Sequence, residues 1–200
     1  MWERFHRDAR SDGAHSRCNR SHNGKPITKK KICGNLRQKK PPSYMNLSLT
    51  VNGTATHKQV EPRTHLIDFL RDQCELTGSH VGCEHGVCGA CTVRVDDVVV
   101  RGCLTLAVQC EGRRVDTIEG LSDSGELREL QEAFHIHNAL QCGFCTPGML
   151  MIAMEVVRDK PDATRDEIRE IISGNYCRCT GYQAIVNAIE SVLIAKRITA

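Results

Sequence analysis

The sequence predicts an α+β chain: a small mixed β-sheet carrying one helix over residues 45–121, followed by a compact set of four helices over 122–200. Three observations predict it. From Met45, Leu47, Leu49 and Val51 alternate with polar residues and run into Asn52-Gly53, the strongest short hairpin signal. After Gly120 the apolar spacing changes to that of a helix, with Leu127, Leu130 and Phe134 on one face. Eight of the twelve cysteines fall into two spaced sets of four, one in each half.

Residues 1–44 stand apart. They carry 12 Lys and Arg against 3 Asp and Glu, a balance of +9, so that 45–200 holds −6 of the chain's net +3. The segment shows no sustained periodicity and lacks the apolar residues needed to form a core. Three readings compete: a basic, disordered extension, a tail that binds nucleic acid or an acidic partner, or a start codon placed too early, with Met45 as the true start. Glu3, Asp8 and Asp12 argue against a transit peptide. The first 30 residues contain no apolar run like that of a signal peptide. The longest apolar stretches elsewhere are too short to span a bilayer. A cytoplasmic location is expected, and there so many cysteines point to metal binding before disulfides.

The elements follow in order. Residues 54–60 form the return strand of the first hairpin. Residues 64–71 read as a short helix with Leu66, Ile67, Phe69 and Leu70 on its apolar side. A glycine-rich loop covers 82–91. The strands 92–95 and 98–101 pair across an Asp96-Asp97 turn, and 104–108 and 114–118 complete the sheet. Met149 to Arg158 is apolar nearly all round, as a buried helix is. Thr164 with Glu167 forms a capping-box signal for a helix that uses Ile168, Ile171 and Ile172 and stops at Gly174. The last helix, from about 181 to 195, turns Ile185, Ala188, Ile189 and Val192 inward.

The cysteines carry the chemistry. Cys83, Cys88, Cys91 and Cys103 have the C-x4-C-x2-C…C spacing of a plant-type [2Fe–2S] site. Gly82, Gly86 and Gly89 are expected to supply positive φ and let backbone N–H groups approach the sulfurs. Zinc is the competing reading, but zinc sites usually pair two C-x2-C knuckles. A Rieske centre is excluded, because no Cys-x-x-His follows Cys83-x-His85. The second set is Cys142, Cys145, Cys177 and Cys179; alone, it suits zinc as well as iron and sulfide. Each of its pairs precedes a helix-start signal. Thr146 reads as N-cap with Pro147 at the first helical position, and Thr180-x-x-Gln183 reads as a capping box. Helix N-termini favour the negative charge of a thiolate site. Cys18, Cys33, Cys74 and Cys110 fit neither set and read as free thiols.

Other candidates are weaker. His135 and His137 suit a solvated or capping role better than a metal, and Glu126, Glu129 and Glu132 read as a wet helix face. No G-x-G-x-x-G, G-x-x-x-x-G-K-[ST] or G-x-S-x-G motif occurs. No catalytic acid–base pair or nucleophile emerges, so the chemistry expected of this chain is electron transfer.

The eight-cysteine order resembles the small iron–sulfur subunit of the molybdenum hydroxylases, the family of xanthine dehydrogenase, aldehyde oxidoreductase and aerobic carbon monoxide dehydrogenase. The resemblance rests on Gly82-Cys-Glu-His-Gly-Val-Cys-Gly-Ala-Cys91, Arg101-Gly-Cys-Leu104, Gln141-Cys-Gly-Phe-Cys-Thr-Pro-Gly148 and Asn175-Tyr-Cys-Arg-Cys-Thr-Gly-Tyr182. It covers Met45 to Ala195. It implies a β-grasp ferredoxin domain over 45–121 and a four-helix-bundle domain over 122–200, each holding a [2Fe–2S] cluster. It also implies a large partner subunit with a molybdopterin cofactor and a medium one with FAD, which together oxidise an aldehyde, an N-heterocycle or carbon monoxide. The Cys142–Cys179 set would take each electron from molybdenum, and the Cys83–Cys103 set would pass it towards FAD. Gln141 matches a pterin contact of the family. One departure is Asp96-Asp97, where Asp-Gly is more usual.

Two rivals remain. A free-standing two-cluster ferredoxin would be a stable monomer. A zinc-binding regulatory module with a nucleic-acid-binding tail would be colourless, and its affinity would fall steeply with salt.

Overall fold

Two tight hairpins frame the sheet. In the computed structural model, which describes residues 43–199, β1 (Met45–Val51) pairs antiparallel with β2 (Thr54–Val60), and β3 (Thr92–Val95) with β4 (Val98–Arg101). The expectations for residues 1–42, Cys18 and Cys33 among them, lie outside the described residues. Asn52 and Gly53 have φ of 48° and 78°, as the first turn requires. Asp96 and Asp97 adopt 47° and 71° without a glycine. Arg114 holds this second turn: its N–H donates to Asp96 Oδ1 at 2.9 Å, and its guanidinium pairs with Asp97. β5 (Arg114–Asp116) runs parallel to β1 and antiparallel to β3, which gives the order β2-β1-β5-β3-β4.

The strand alternation has its expected result. Leu47, Leu49 and Val51 are buried together with Val93, Val95 and Val115. Leu66, Phe69 and Leu70 join them in this core. Their helix differs from the expected one over 64–71. α1 (Leu66–Asp68) passes into a π-turn, Phe69–Gln73, closed by Cys74 N–H to Phe69 O at 3.2 Å. Residues 104–108 do not form a strand. They make one bridge, His65 to Leu106, and then a 3-10 turn, Ala107–Cys110. The bridge is made by Leu66 N–H to Thr105 O at 2.7 Å and Ala107 N–H to Thr64 O at 2.9 Å, and the Leu106 N–H turns instead to Gln109 Oε1 at 2.9 Å as the chain enters the 3-10 turn.

A helix that the sequence did not announce opens the second half. α2 (Ile118–Asp123) follows β5, which ends at Asp116 instead of 118. Asn52 of the first turn reaches across to fix this corner, accepting from Thr117 N at 2.8 Å and donating to Thr117 Oγ1 at 3.0 Å. The four expected helices are present as α3 (Arg128–Ile136), α4 (Thr146–Asp159), α5 (Arg165–Ile172) and α6 (Gln183–Thr199). Thr164 and Glu167 form the expected capping box at α5. Met149, Met151, Ile168, Ile172, Ile185 and Ile189 lie in one buried apolar cluster. Among the described residues no helix is long and apolar enough to cross a membrane.

The halves meet across β3, whose four residues are all buried. Val93 and Val95 face the sheet core, while Arg94 reaches Met154 Sδ of α4 at 3.7 Å. Arg94 also pairs with Asp116 at 3.0 Å and with both oxygens of Glu126 at 2.7 and 3.2 Å. Burial works against its charge, but the two carboxylates outweigh it and raise its pKa. Glu126 is therefore the partner of a buried cation, which corrects its assignment to a wet helix face. Glu129 is exposed and pairs with Lys196 at 3.1 Å, as a solvated face allows.

Candidate metal centres

The loop before β3 carries Cys83, Cys88 and Cys91, and Cys103 joins them from the turn that follows β4. Two backbone N–H groups, of His85 and Cys88, point at Cys83 Sγ, each at 3.4 Å. These bonds, Cys88's first, hold the Cys83 thiol down to about 6. Glu84, Gly86 and Gly89 take φ of 56°, 76° and 74° to turn the loop around the sulfur. Gly82 was expected to share that role but does not. Its requirement is space, since a Cβ there would lie 3.1 Å from Cys88 Sγ. Cys91 and Cys103 are buried, and burial together with their contact pushes the Cys91 thiol up to about 11.

The second set gathers beside the same loop, with Tyr176 N–H donating to Cys88 O. Cys142 and Cys179 are exposed with their sulfurs 3.5 Å apart, while Cys145 and Cys177 are half-buried and in contact. Burial and then Cys177 push the Cys145 thiol up to about 12. Burial also opposes ionisation of Cys177, yet hydrogen bonds from Thr180 win and lower its pKa.

Both helix-start readings here need correction. α4 begins one residue early, with Cys145 itself at the N-cap; Thr146 is already helical, and its buried hydroxyl has no partner. Thr180-x-x-Gln183 is not a capping box. Gly181 and Tyr182 take φ of 65° and 68°, so the Thr180 hydroxyl turns back and donates to Cys177 Sγ at 3.1 Å. Gln141 is exposed and donates to Cys179 O at 3.2 Å.

Within each set the sulfurs fall into pairs: Cys83 with Cys88, Cys91 with Cys103, Cys142 with Cys179, and Cys145 with Cys177. Among the described residues no group of three or more His, Cys, Asp or Glu closes on one metal-ion position. As a donor set, eight thiols in four pairs, some already receiving N–H and O–H bonds, fit two iron–sulfur groups. His135 and His137 belong to neither set. Cys74 and Cys110 are free thiols whose pKa values are raised by burial.

The sets are interlocked. Tyr176 N–H donates to Cys88 O at 2.9 Å, one residue before Cys177. The buried Asn175 donates to Gly89 O at 3.4 Å, and a Cβ on Gly89 would lie 2.4 Å from its side chain. Arg101 ties Thr92 to Gly174 O, the latter at 2.8 Å. Sequence reasoning missed Asn175, Arg101, Thr180 and Tyr182. The first two act across 70 or more residues of chain, and Thr180 carried a misleading capping signal.

Two family models match, one described as a 2Fe-2S iron-sulfur cluster binding domain at residues 49–122 and the other as a [2Fe-2S] binding domain at 117–190. The gamma subunit of caffeine dehydrogenase from Pseudomonas sp. (strain CBB1) is 57% identical over 149 residues, 73% of this chain and 89% of that protein. The xanthine dehydrogenase iron-sulfur-binding subunit of Escherichia coli O157:H7 is 43% identical over 72% of this chain and 92% of that protein. The chain belongs to the small iron–sulfur subunits of the molybdenum hydroxylases. As such a subunit it is part of an oxidoreductase. Among solved structures, quinoline 2-oxidoreductase from Pseudomonas putida 86 superposes on this iron–sulfur subunit with a TM-score of 0.73. It is 50% identical, over 78% of this chain and 96% of that one.

Close packing in this iron–sulfur subunit makes one position especially sensitive. A Cβ on Gly148, in the first turn of α4, would lie 2.2 Å from Gly89 O and 3.1 Å from Asn175 Nδ2. Gly148→Ala is expected to destabilise the fold by about 1–3 kcal/mol, the usual cost of overpacking. Denaturant unfolding at a fixed loading of iron checks it. An unchanged midpoint would mean that α4 and the loop can separate freely.

Proposed function

We propose that this chain carries two [2Fe–2S] clusters, one on Cys83, Cys88, Cys91 and Cys103 and one on Cys142, Cys145, Cys177 and Cys179. The pairing of the sulfurs carries this reading. A two-iron group takes one sulfur pair per iron, whereas a single zinc ion needs four sulfurs around one point. The domain division would follow the two sets, with a β-grasp domain over 45–121 and a four-helix bundle over 122–200.

The electrons would come from a molybdopterin centre in a large partner subunit and leave to FAD in a medium one. The second set would face the pterin. Its Cys142 and Cys179 are exposed, beside the exposed apolar side chains of Leu140 and Phe144. Gln141 would contact the pterin itself. The first set would face the flavin partner through the exposed Val87 and Leu104. Between the sets, the Tyr176 N–H to Cys88 O bond offers a short through-bond route. When bound, the clusters supply one-electron carriage. The residues of this chain bind them, donate hydrogen bonds to their sulfurs and keep water from the buried pair Cys91 and Cys103. The substrate would be an N-heterocycle, a reading supported by the names of the caffeine, xanthine and quinoline relatives, or an aldehyde, supported by the aldehyde oxidoreductase relatives.

Anaerobic purification followed by stepwise reduction and EPR tests the reading, with iron and labile sulfide assayed alongside. Two separable [2Fe–2S] signals and co-purifying large and medium subunits are expected. A monomer with both signals would favour a free-standing ferredoxin, and zinc without sulfide would overturn the redox role.

A further inference from the structure

We propose that Thr180 is a positioning residue that sets the reduction potential of the second centre, acting through its hydroxyl on the sulfur of Cys177. The proposal rests on the reading that Cys142, Cys145, Cys177 and Cys179 hold a [2Fe–2S] group.

The hydroxyl is held in a closed ring of three hydrogen bonds. Cys177 N–H donates to Tyr182 Oη at 2.9 Å. Tyr182 N–H donates to Thr180 Oγ1 at 3.2 Å. Thr180 Oγ1–H donates to Cys177 Sγ at 3.1 Å, and the Thr180 N–H adds a second bond to the same sulfur at 3.4 Å. A hydroxyl has one hydrogen and two lone pairs. One lone pair is taken by Tyr182 N–H, and Cys177 Sγ lies at 3.1 Å as the acceptor for the hydrogen.

The chain adopts an unfavourable shape to close this ring. Tyr182 has φ of +68°, a region that bulky residues avoid. Gly181 beside it also takes a positive φ, +65°.

The chemical consequence follows from charge. One-electron reduction, here by dithionite in the titration, adds one negative charge, which spreads over the sulfurs. A donor aimed at a ligand sulfur stabilises the reduced form more than the oxidised one and so raises the potential. At the first set the hydrogen bonds to Cys83 Sγ come from the backbone, from His85 and Cys88. The first centre therefore serves as an internal reference that a change at Thr180 leaves alone.

The test is an EPR-monitored redox titration of the full chain, in whatever assembly it co-purifies with. Thr180→Val keeps the shape and removes the hydroxyl; Thr180→Ser keeps the hydroxyl. The valine variant is expected to shift the second centre's reduced-to-oxidised ratio at fixed potential about tenfold towards oxidised, which for one electron is 59 mV lower. The serine variant should keep the original value, and the first centre should not move in either. An unchanged second centre in a loaded valine variant overturns the proposal. So does a serine variant that behaves like valine, because that would make the role purely one of packing.

If the valine variant does not load, Tyr182→Phe opens the same ring at its other end and should lower the same potential by less. Measurements on the unmodified assembly do not depend on any variant. ENDOR after mixing into D2O should show a hydrogen, strongly coupled to the second centre, that exchanges within the dead time, as a hydroxyl does. Its absence overturns the proposal. Absence of any second [2Fe–2S] signal in the unmodified assembly would instead refute the underlying assignment of the ligands.

Discussion

Replacing Cys142 by serine removes one of the two iron–sulfur signals and leaves the other at full amplitude. Iron and labile sulfide fall together to half. The expectation is sharp because Cys142 is exposed and its sulfur contacts that of Cys179, outside the buried core. The substitution would therefore take the proposed ligand without disturbing packing. Cys145 would be a poorer choice, since it is half-buried and stands at the N-cap of α4. Cys91 is poorer still, at 2% exposure within the loop that carries the first set. EPR with metal analysis on the same preparation checks the result. Persistence of both signals in C142S would mean that Cys142 is not a ligand, and loss of both would mean that the two centres assemble only together.

The second large effect concerns stability. Arg94→Ala should destabilise the protein by about 3 kcal/mol, the lower end of the range for breaking a buried ion pair. Its removal leaves Asp116, 7% exposed, with Arg114 Nε at 3.2 Å as its remaining cation. Arg114 softens the loss but lies on the exposed side of the sheet and also serves Asp97. Glu126 reaches solvent and can rehydrate. The double variant Arg94→Met with Asp116→Asn should recover most of the loss, because no charge is then left buried and unpaired. Comparison of the denaturant midpoints of the single and double variants measures this. Equal midpoints for Arg94→Ala and the parent would show that the pair contributes nothing to holding sheet and helices together.

Much of this was legible in the sequence, for local reasons. Asn52-Gly53 specifies its turn by itself, and the alternation of Leu47, Leu49 and Val51 specifies which face is buried. The Thr164 and Glu167 box declares its helix because both partners lie within four residues. The grouping of the eight cysteines into two sets, which the structure brings together as sulfur pairs, was legible by spacing. What escaped depends on partners distant in sequence. Residues 104–108 have the composition of a strand, but after one bridge to His65 the chain turns into a 3-10 turn in which Gln109 takes the Leu106 N–H. Glu126 looked like surface until Arg94, 32 residues earlier, came to it. Thr180 misled for a different reason. Its capping pattern is genuine as a local preference, but α6 begins only at Gln183, and the hydroxyl accepts from Tyr182 N–H and donates to Cys177 Sγ instead.

The contact of Gly89, Gly148 and Asn175 has a consequence for engineering. Each of the three comes from a different segment, and each has a shape tolerable only beside the other two. A chimera joining the sheet half of one relative to the helical half of another would place the seam between Gly89 and its two neighbours. Such hybrids should assemble when all three positions match and fail when one carries a larger side chain, whatever the overall identity of the parents. The three positions work as a compatibility key, to be inspected before any swap of modules between related oxidoreductases.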